Sequence, residues 1–145
     1  MPTKIAISAA AAAAAMLGGC QSVGEPAERP IKAGMSGAQE VPGPGDADGS
    51  GSFTATIKPG SSQICYNIEV AAIEPATAAH IHRGAAGESG PAVVTLEAPT
   101  HGESGACAEA SAELAVEIAA APERFYVNVH NAPFPAGAVR GQLGR

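Results

Sequence analysis

Residues 53–70 read FTATIKPGSSQICYNIEV, and this stretch decides the fold class. Phe53, Ala55 and Ile57 fall on one side of an extended segment, with Thr54 and Thr56 on the other. Lys58-Pro59-Gly60-Ser61 then turns the chain. Beyond the turn, Ile64, Tyr66, Ile68 and Val70 alternate with Cys65, Asn67 and Glu69. An apolar period of two sends alternate side chains to opposite faces of a pleated strand, whereas one helix face needs a period of 3.6. The stretch therefore reads as two half-buried strands joined by a turn.

The same period recurs downstream. Phe125, Val127 and Val129 alternate with Tyr126, Asn128 and His130, the clearest strand in the chain. Val93 to Leu96 reads as a buried strand, and Gly137 to Leu143 as a last edge or closing strand. Between them, Gly84 to Pro91 reads as a mobile or specially turned loop and Thr100 to Gly105 as a further loop. SAELAVEIAAAP, residues 111–122, fits both periods. Leu114, Ile118 and Ala121 suit a helix face, while Leu114, Val116 and Ile118 suit a strand. The alanine content, Ser111 as N-cap and the stop before Pro122 predict a short helix. Upstream, Pro42 to Gly51 is rich in Gly, Pro and Asp and reads as a turn or long loop, with the domain starting near Ile31. Short strands divided by Gly/Pro turns predict an all-β sandwich with one short helix before the penultimate strand. There is no internal repeat.

The N-terminus reads MPTKIAISAAAAAAAMLGGC. Lys4 supplies a positive start, Ile5 to Leu17 carry no charge, and small residues follow, which is the layout of a signal peptide. The apolar run is shorter than the roughly 20 residues a membrane-spanning helix needs. Leu17-Gly18-Gly19-Cys20 resembles the bacterial lipobox, which implies a signal peptide over 1–19 and a diacylglycerol on the sulfur of Cys20. The competing reading is an ordinary signal peptide cut near Gly18 or Gly19, with an incidental cysteine. Two or three acyl chains anchor stably where one does not. Gln21 stands where an Asp favours retention in the inner membrane, so the resemblance implies the outer membrane. Residues 20–30, polar with Gly24, Pro26 and Pro30, then form a lipid-anchored tether, and 31–145 the domain.

The chain carries a net charge of −6, and its charges are scattered. That argues against nucleic acid as a partner, since phosphate binding needs clustered Lys and Arg. With no Trp and few other aromatics, it also lacks the material for a stacking or sugar-binding platform. Once Cys20 takes the lipid, Cys65 and Cys107 remain. In an oxidising compartment they read as a disulfide worth roughly 2–4 kcal/mol, the alternatives being two buried thiols or a metal-binding pair. There is no Gly-x-Ser-x-Gly elbow and no phosphate-cradling Gly-rich loop ahead of a helix, so conventional hydrolytic chemistry finds no support.

His80 and His82 are two apart on a predicted strand, so both leave one face while Ile81 points to the core. His130 shares the polar face of its own strand with Tyr126 and Asn128. If these strands are neighbours, three imidazoles converge, a donor set suited to copper, zinc, iron or nickel. The alternative is structural: the histidines and Asn128 hydrogen-bond loop backbone, and Arg140 pins Glu40 in a buried ion pair. His101, between Thr100 and Gly102, reads as a loop residue.

Four segments together carry a family resemblance: Gly37-Ala38-Gln39-Glu40-Val41-Pro42; Ala79-His80-Ile81-His82-Arg83-Gly84 with Gly90-Pro91; Tyr126-Val127-Asn128-Val129-His130; and Pro135-Ala136-Gly137-Ala138-Val139-Arg140-Gly141-Gln142-Leu143. The Cys65-Tyr66 strand with Cys107 downstream fits as well. This order and spacing resembles the CHRD domain, named after chordin and common in bacterial envelope proteins. The resemblance covers about residues 31–144. It implies an immunoglobulin-like sandwich, similar in shape to the copper/zinc superoxide dismutase barrel, and little about activity. In those dismutases a His-x-His on a strand plus a distant His holds copper. Here Gly84 to Gly105 offers only His101, Glu88, Glu97 and Glu103, so the zinc half of such a site is not supplied. By the same analogy Arg140 is a candidate guide for a small anion. The resulting expectation is an envelope lipoprotein with a non-enzymatic binding or structural role toward an unidentified envelope or extracellular partner, with copper as the candidate cofactor. The alternatives are a copper-only superoxide dismutase-like enzyme and a copper carrier.

Overall fold

The computed structural model describes residues 29–58 and 60–145. The signal peptide, the Cys20 lipidation site and all but the last two residues of the tether lie outside the described residues. The stretch that opens the sequence argument forms β2 (Ser50–Ile57) and β3 (Gln63–Ala71), antiparallel and in register from Ser50↔Ala71 to Ile57↔Ile64. The alternation holds: Phe53, Ala55, Ile64, Tyr66 and Ile68 are buried, and the Thr and Asn residues between them face outward. Ahead of them lies β1 (Ile31–Ser36), and after them β4 (Ala76–Arg83), β5 (Ala92–Leu96), β6 (Glu103–Glu109), β7 (Phe125–Asn131) and β8 (Val139–Gln142).

The eight strands form one sheet in the order β5-β4-β7-β8-β1-β2-β3-β6, with every neighbouring pair antiparallel. The sheet curls into a barrel-like sandwich, and its two edge strands meet around Glu97. There the Ser104 hydroxyl donates to the Glu97 carbonyl at 2.8 Å, and the Glu97 N–H donates to the Tyr66 hydroxyl at 2.6 Å. The concave face buries one apolar core that includes Phe53, Ile64, Ile68, Ile81, Phe125 and Val127. At about 25 cal/mol per Å² of apolar surface removed from water, this burial is the main force holding the sheet curled.

The ambiguous 111–122 stretch is helical. α1 (Ala112–Ala120) starts where the Ser111 hydroxyl accepts from the Leu114 N–H at 3.2 Å, and it ends before Pro122. Ala115 and Ile118 are buried and Val116 is exposed, the pattern of a helix lying on the sheet. A two-pronged ion pair from Arg83 to Glu117 ties α1 to the end of β4.

Two sequence expectations need correction, and one open alternative is decided. Thr100 to Gly105 is not all loop, because β6 begins at Glu103. Its pairing with β3 from Gln63↔Glu109 to Glu69↔Glu103 supplies an order that its Gly, Ala and Ser residues do not signal. The Pro42–Gly51 loop ends at Gly49, since Ser50 and Gly51 pair with both β1 and β3. Of the two readings of Gly137 to Leu143, edge or closing strand, β8 is the closing one. It sits between β7 and β1 and closes the C-terminal half onto the N-terminal strand. Cys65 and Cys107 face each other across β3 and β6 and form a disulfide.

Candidate metal centre

The register between β4 and β7 sets His80 opposite Asn128, His82 opposite Tyr126, and Ala78 opposite His130. Directly opposed and diagonal residues on one face of an antiparallel pair are side-chain neighbours. His130 is therefore diagonal to His80, with only the Ala78 methyl between it and β4. His80 Nδ1 comes within 3.2 Å of His130 Nε2, and one ligating nitrogen from each of His80, His82 and His130 lies within 4.8 Å of the others. Nitrogens sharing one ion through bonds of about 2.0–2.1 Å stand about 2.9 Å apart at right angles and about 3.4 Å apart at the tetrahedral angle, so the triangle fits a metal after contraction of its longer sides.

Two of the rings are oriented by backbone. His82 Nδ1 donates to the Gly90 carbonyl at 2.9 Å, and His130 Nδ1 donates to the Pro135 carbonyl at 3.1 Å. A carbonyl only accepts, so each Nδ1 carries the hydrogen and each Nε2 keeps a lone pair in the neutral ring. His82 Nε2 is buried with no hydrogen-bond partner among the described residues. A ligand imidazole whose other N–H is held by a carbonyl is the usual second layer of a metal site. The loops thus fix both Nδ1 atoms; His82 Nε2 is left without a partner among the described residues, and His130 Nε2 accepts from His80 Nδ1.

All three pKa values lie below the ordinary imidazole value. For His80 the cause is first burial and then the neighbouring His82. For His82, burial and the Arg140 charge outweigh the Gly90 hydrogen bond. For His130, burial leads, the Pro135 carbonyl opposes it, and His80 and His82 add to the lowering. The neutral imidazole, which is the ligating form, is favoured.

Tyr126 stacks on His82, with ring centroids 4.8 Å apart and planes at 13°. The Arg140 guanidinium carbon lies 3.4 Å from the Tyr126 ring centre. Because β7 runs between β4 and β8, Tyr126 is clamped between the imidazole and the guanidinium. The Tyr126 hydroxyl donates to the Gly90 carbonyl and accepts from the Gly90 N–H, so one loop residue positions both rings.

Glu40 and Arg140 do not form the expected ion pair. Among the described residues no carboxylate oxygen lies within 4.0 Å of an Arg140 nitrogen. Glu40 instead accepts from Asn128 Nδ2 at 2.9 Å, and Arg140 donates to the Ala85 carbonyl at 3.0 Å. The stack on Tyr126 and the bond to Ala85 hold the guanidinium away from the carboxylate. Burial still raises the Glu40 pKa from 4.5 to about 7, against the lowering effects of the Arg140 charge and the Asn128 hydrogen bond. Gly137 makes room for this carboxyl. A Cβ there would sit 2.5 Å from its oxygens, at a φ of +151° that side chains rarely adopt.

Sequence reasoning placed His80, His82, His130, Asn128, Glu40 and Arg140 in the molecule's polar layer but missed Tyr126 as their hub. Its signal was present: Tyr126 is two residues from Asn128 and so shares its face. His101 lies in an exposed turn outside the cluster. A CHRD domain sequence family matches residues 31–143. No curated protein and no solved structure matches significantly.

Proposed function

The chain belongs to the CHRD domain family, and from that premise we propose that it is a non-enzymatic envelope lipoprotein whose sandwich holds a copper ion at His80, His82 and His130. The observation that carries the metal reading is the convergence of three ligating nitrogens within 4.8 Å, two of them on rings fixed by backbone carbonyls. Copper is preferred because imidazole donors suit it and because Cu²⁺ heads the affinity order of the divalent first-row metals. The Cys65–Cys107 disulfide supports an oxidising compartment, and Leu17-Gly18-Gly19-Cys20 supports lipid attachment there.

The test is metal analysis of the full chain after copper loading and removal of loose ion, beside His80→Ala and His130→Ala. The expected result is one copper per chain in the parent protein and a large loss in both variants. Unchanged uptake in both removes this site. A superoxide-dismutation assay on the loaded protein separates holder from enzyme, with no turnover expected. Incorporation of labelled palmitate, lost on Cys20→Ser, checks the anchor.

A further inference from the structure

Neighbouring strands of the sandwich run in opposite directions, so their termini gather at two ends, and the ends differ in charge. At one end lie the start of β2, the end of β3, the end of β5 and the start of β6, with Asp46, Asp48, Glu69, Glu74, Glu97 and Glu103. Among the described residues no lysine and no exposed arginine accompanies these carboxylates. At the other end lie the start of β1, the end of β2 and α1, which joins β6 to β7. Every described lysine and arginine except the buried Arg140 is there: Arg29, Lys32, Lys58, Arg83, Arg124 and Arg145. Glu88, Glu109, Glu113, Glu117 and Glu123 offset them, and Glu117 is taken by Arg83 and Arg124. One end is thus purely acidic, while the helix end is close to neutral.

The helix end also carries an open apolar groove of about 370 Å³ between α1 and the β2–β3 turn. Ile57, Val116, Ala119 and Ala120 are among its lining residues, with the exposed Lys58 beside them. Val116 is 62% exposed, the one exposed large hydrophobic side chain among the described residues. Arg145 donates to the Ala119 carbonyl, which sets a guanidinium next to the same groove. An exposed apolar patch rimmed by charge marks a surface that something covers. The place where the chain enters the domain says what. Ile31 pairs with Ala55, two residues before Ile57, and Pro30 shares a surface cleft with Thr54 and Thr56, so β1 starts beside the groove. Residues 20–28 reach at most about 30 Å when fully extended, so a lipid on Cys20 keeps the groove within that distance of the bilayer. Tethering raises the effective concentration of the lipid surface, and a small patch then suffices. An anionic leaflet attracts Arg29, Lys58 and Arg145 and repels the acidic end. We propose that α1 and the β2–β3 turn rest their apolar groove on the phospholipid surface that anchors the chain, with the acidic end turned away from it. The inference rests on lipid attachment at Cys20 and not on the metal reading.

The test is a nuclear magnetic resonance measurement on the full ¹⁵N-labelled chain in nanodiscs of equal parts phosphatidylcholine and phosphatidylglycerol, with and without a lipid carrying a nitroxide on its headgroup. Line broadening is expected at the amides of Lys58, Gly60, Val116 and Ala120, and not at those of Asp48, Glu74 and Thr100. The tether by itself favours the same end, so a variant separates the two causes. Val116→Asp keeps the anchor and, at an exposed helix position, the fold. It is expected to weaken docking at least about tenfold and to remove most of the broadening at Lys58 and Ala120. With the chain retained on the discs, uniform broadening, broadening strongest at the acidic end, or a pattern unchanged in Val116→Asp overturns the proposal. A chain that does not stay on the discs refutes lipid attachment and the docking together, which distinguishes the two failures.

Discussion

Glu40→Gln isolates the contribution of one buried carboxyl to the protein's pH response. Glu40 is 6% exposed and its pKa is pushed from 4.5 to about 7, with burial the largest cause. Between those values the folded protein holds a proton that the unfolded chain has released. The folded state then binds more protons than the unfolded one, so stability falls as pH rises from 4.5 to about 7 and levels off above. The gap between the two values corresponds to about 3 kcal/mol at about 1.4 kcal/mol per pH unit. Glutamine cannot ionise, and its carbonyl oxygen keeps the bond from Asn128. The stability of Glu40→Gln relative to the parent protein is therefore expected to rise by about 3 kcal/mol from pH 4.5 to pH 8. Urea unfolding of both proteins across that range, followed by circular dichroism, gives the difference directly. Taking the difference cancels the histidines, whose lowered pKa values act in the opposite direction. Parallel stability curves for the two proteins refute the assignment of a charged, desolvated Glu40 above neutral pH.

Three further expectations follow from burial, connectivity and charge. Ile81→Ala, at the core side of the His-x-His pair, is expected to cost about 2–5 kcal/mol, while Val116→Asp on the exposed helix face stays within about 0.5 kcal/mol. Similar urea midpoint shifts in the two contradict the assigned facing of β4. Replacing both Cys65 and Cys107 by Ala is expected to lower stability by about 2–4 kcal/mol, since the loop they close spans 42 residues. An unchanged unfolding midpoint counts against that closure. Copper uptake at the histidines is expected to fade with a midpoint below pH 6.5, because protonated imidazole cannot ligate and all three rings resist protonation. A midpoint above 6.5, read by metal analysis across a pH series, contradicts the neutral-imidazole arrangement.

Much of the sandwich was legible from apolar alternation alone. Phe53 to Ile57, Ile64 to Val70 and Phe125 to Val129 alternate cleanly because each strand has one face on the core and one turned away from it. Ser111 and Pro122 bracketed α1 because capping and proline sterics act over only a few residues. β1 and the start of β6 were not legible as strands. Gly34, Ser104, Gly105 and Ala106 have weak strand preferences, and these segments are extended because β2 and β3 offer them backbone partners. The Glu40–Arg140 pair was a reasonable expectation from two charges in terminal motifs. It failed because a guanidinium also stacks on aromatic faces, and Tyr126 was in reach.

Local pattern alone determined that His80 and His82 share a face and that Ile81 points away from it, since the period of a strand is two wherever it pairs. It determined too that His130 lies on the same side of its strand as Tyr126 and Asn128. It could not decide that these faces are one face. That depended on β4 pairing with β7 rather than another strand, in the register that sets His80 opposite Asn128 and His130 opposite Ala78. A register one residue different would have turned the histidines of one strand away from those of the other. The backbone carbonyls of Gly90 and Pro135 are only eight and five residues from the imidazoles they hold, but the folding of those loops back onto the rings was not legible in the sequence. The ligand types are local chemistry; their convergence is a property of strand pairing, which couples residues about fifty positions apart.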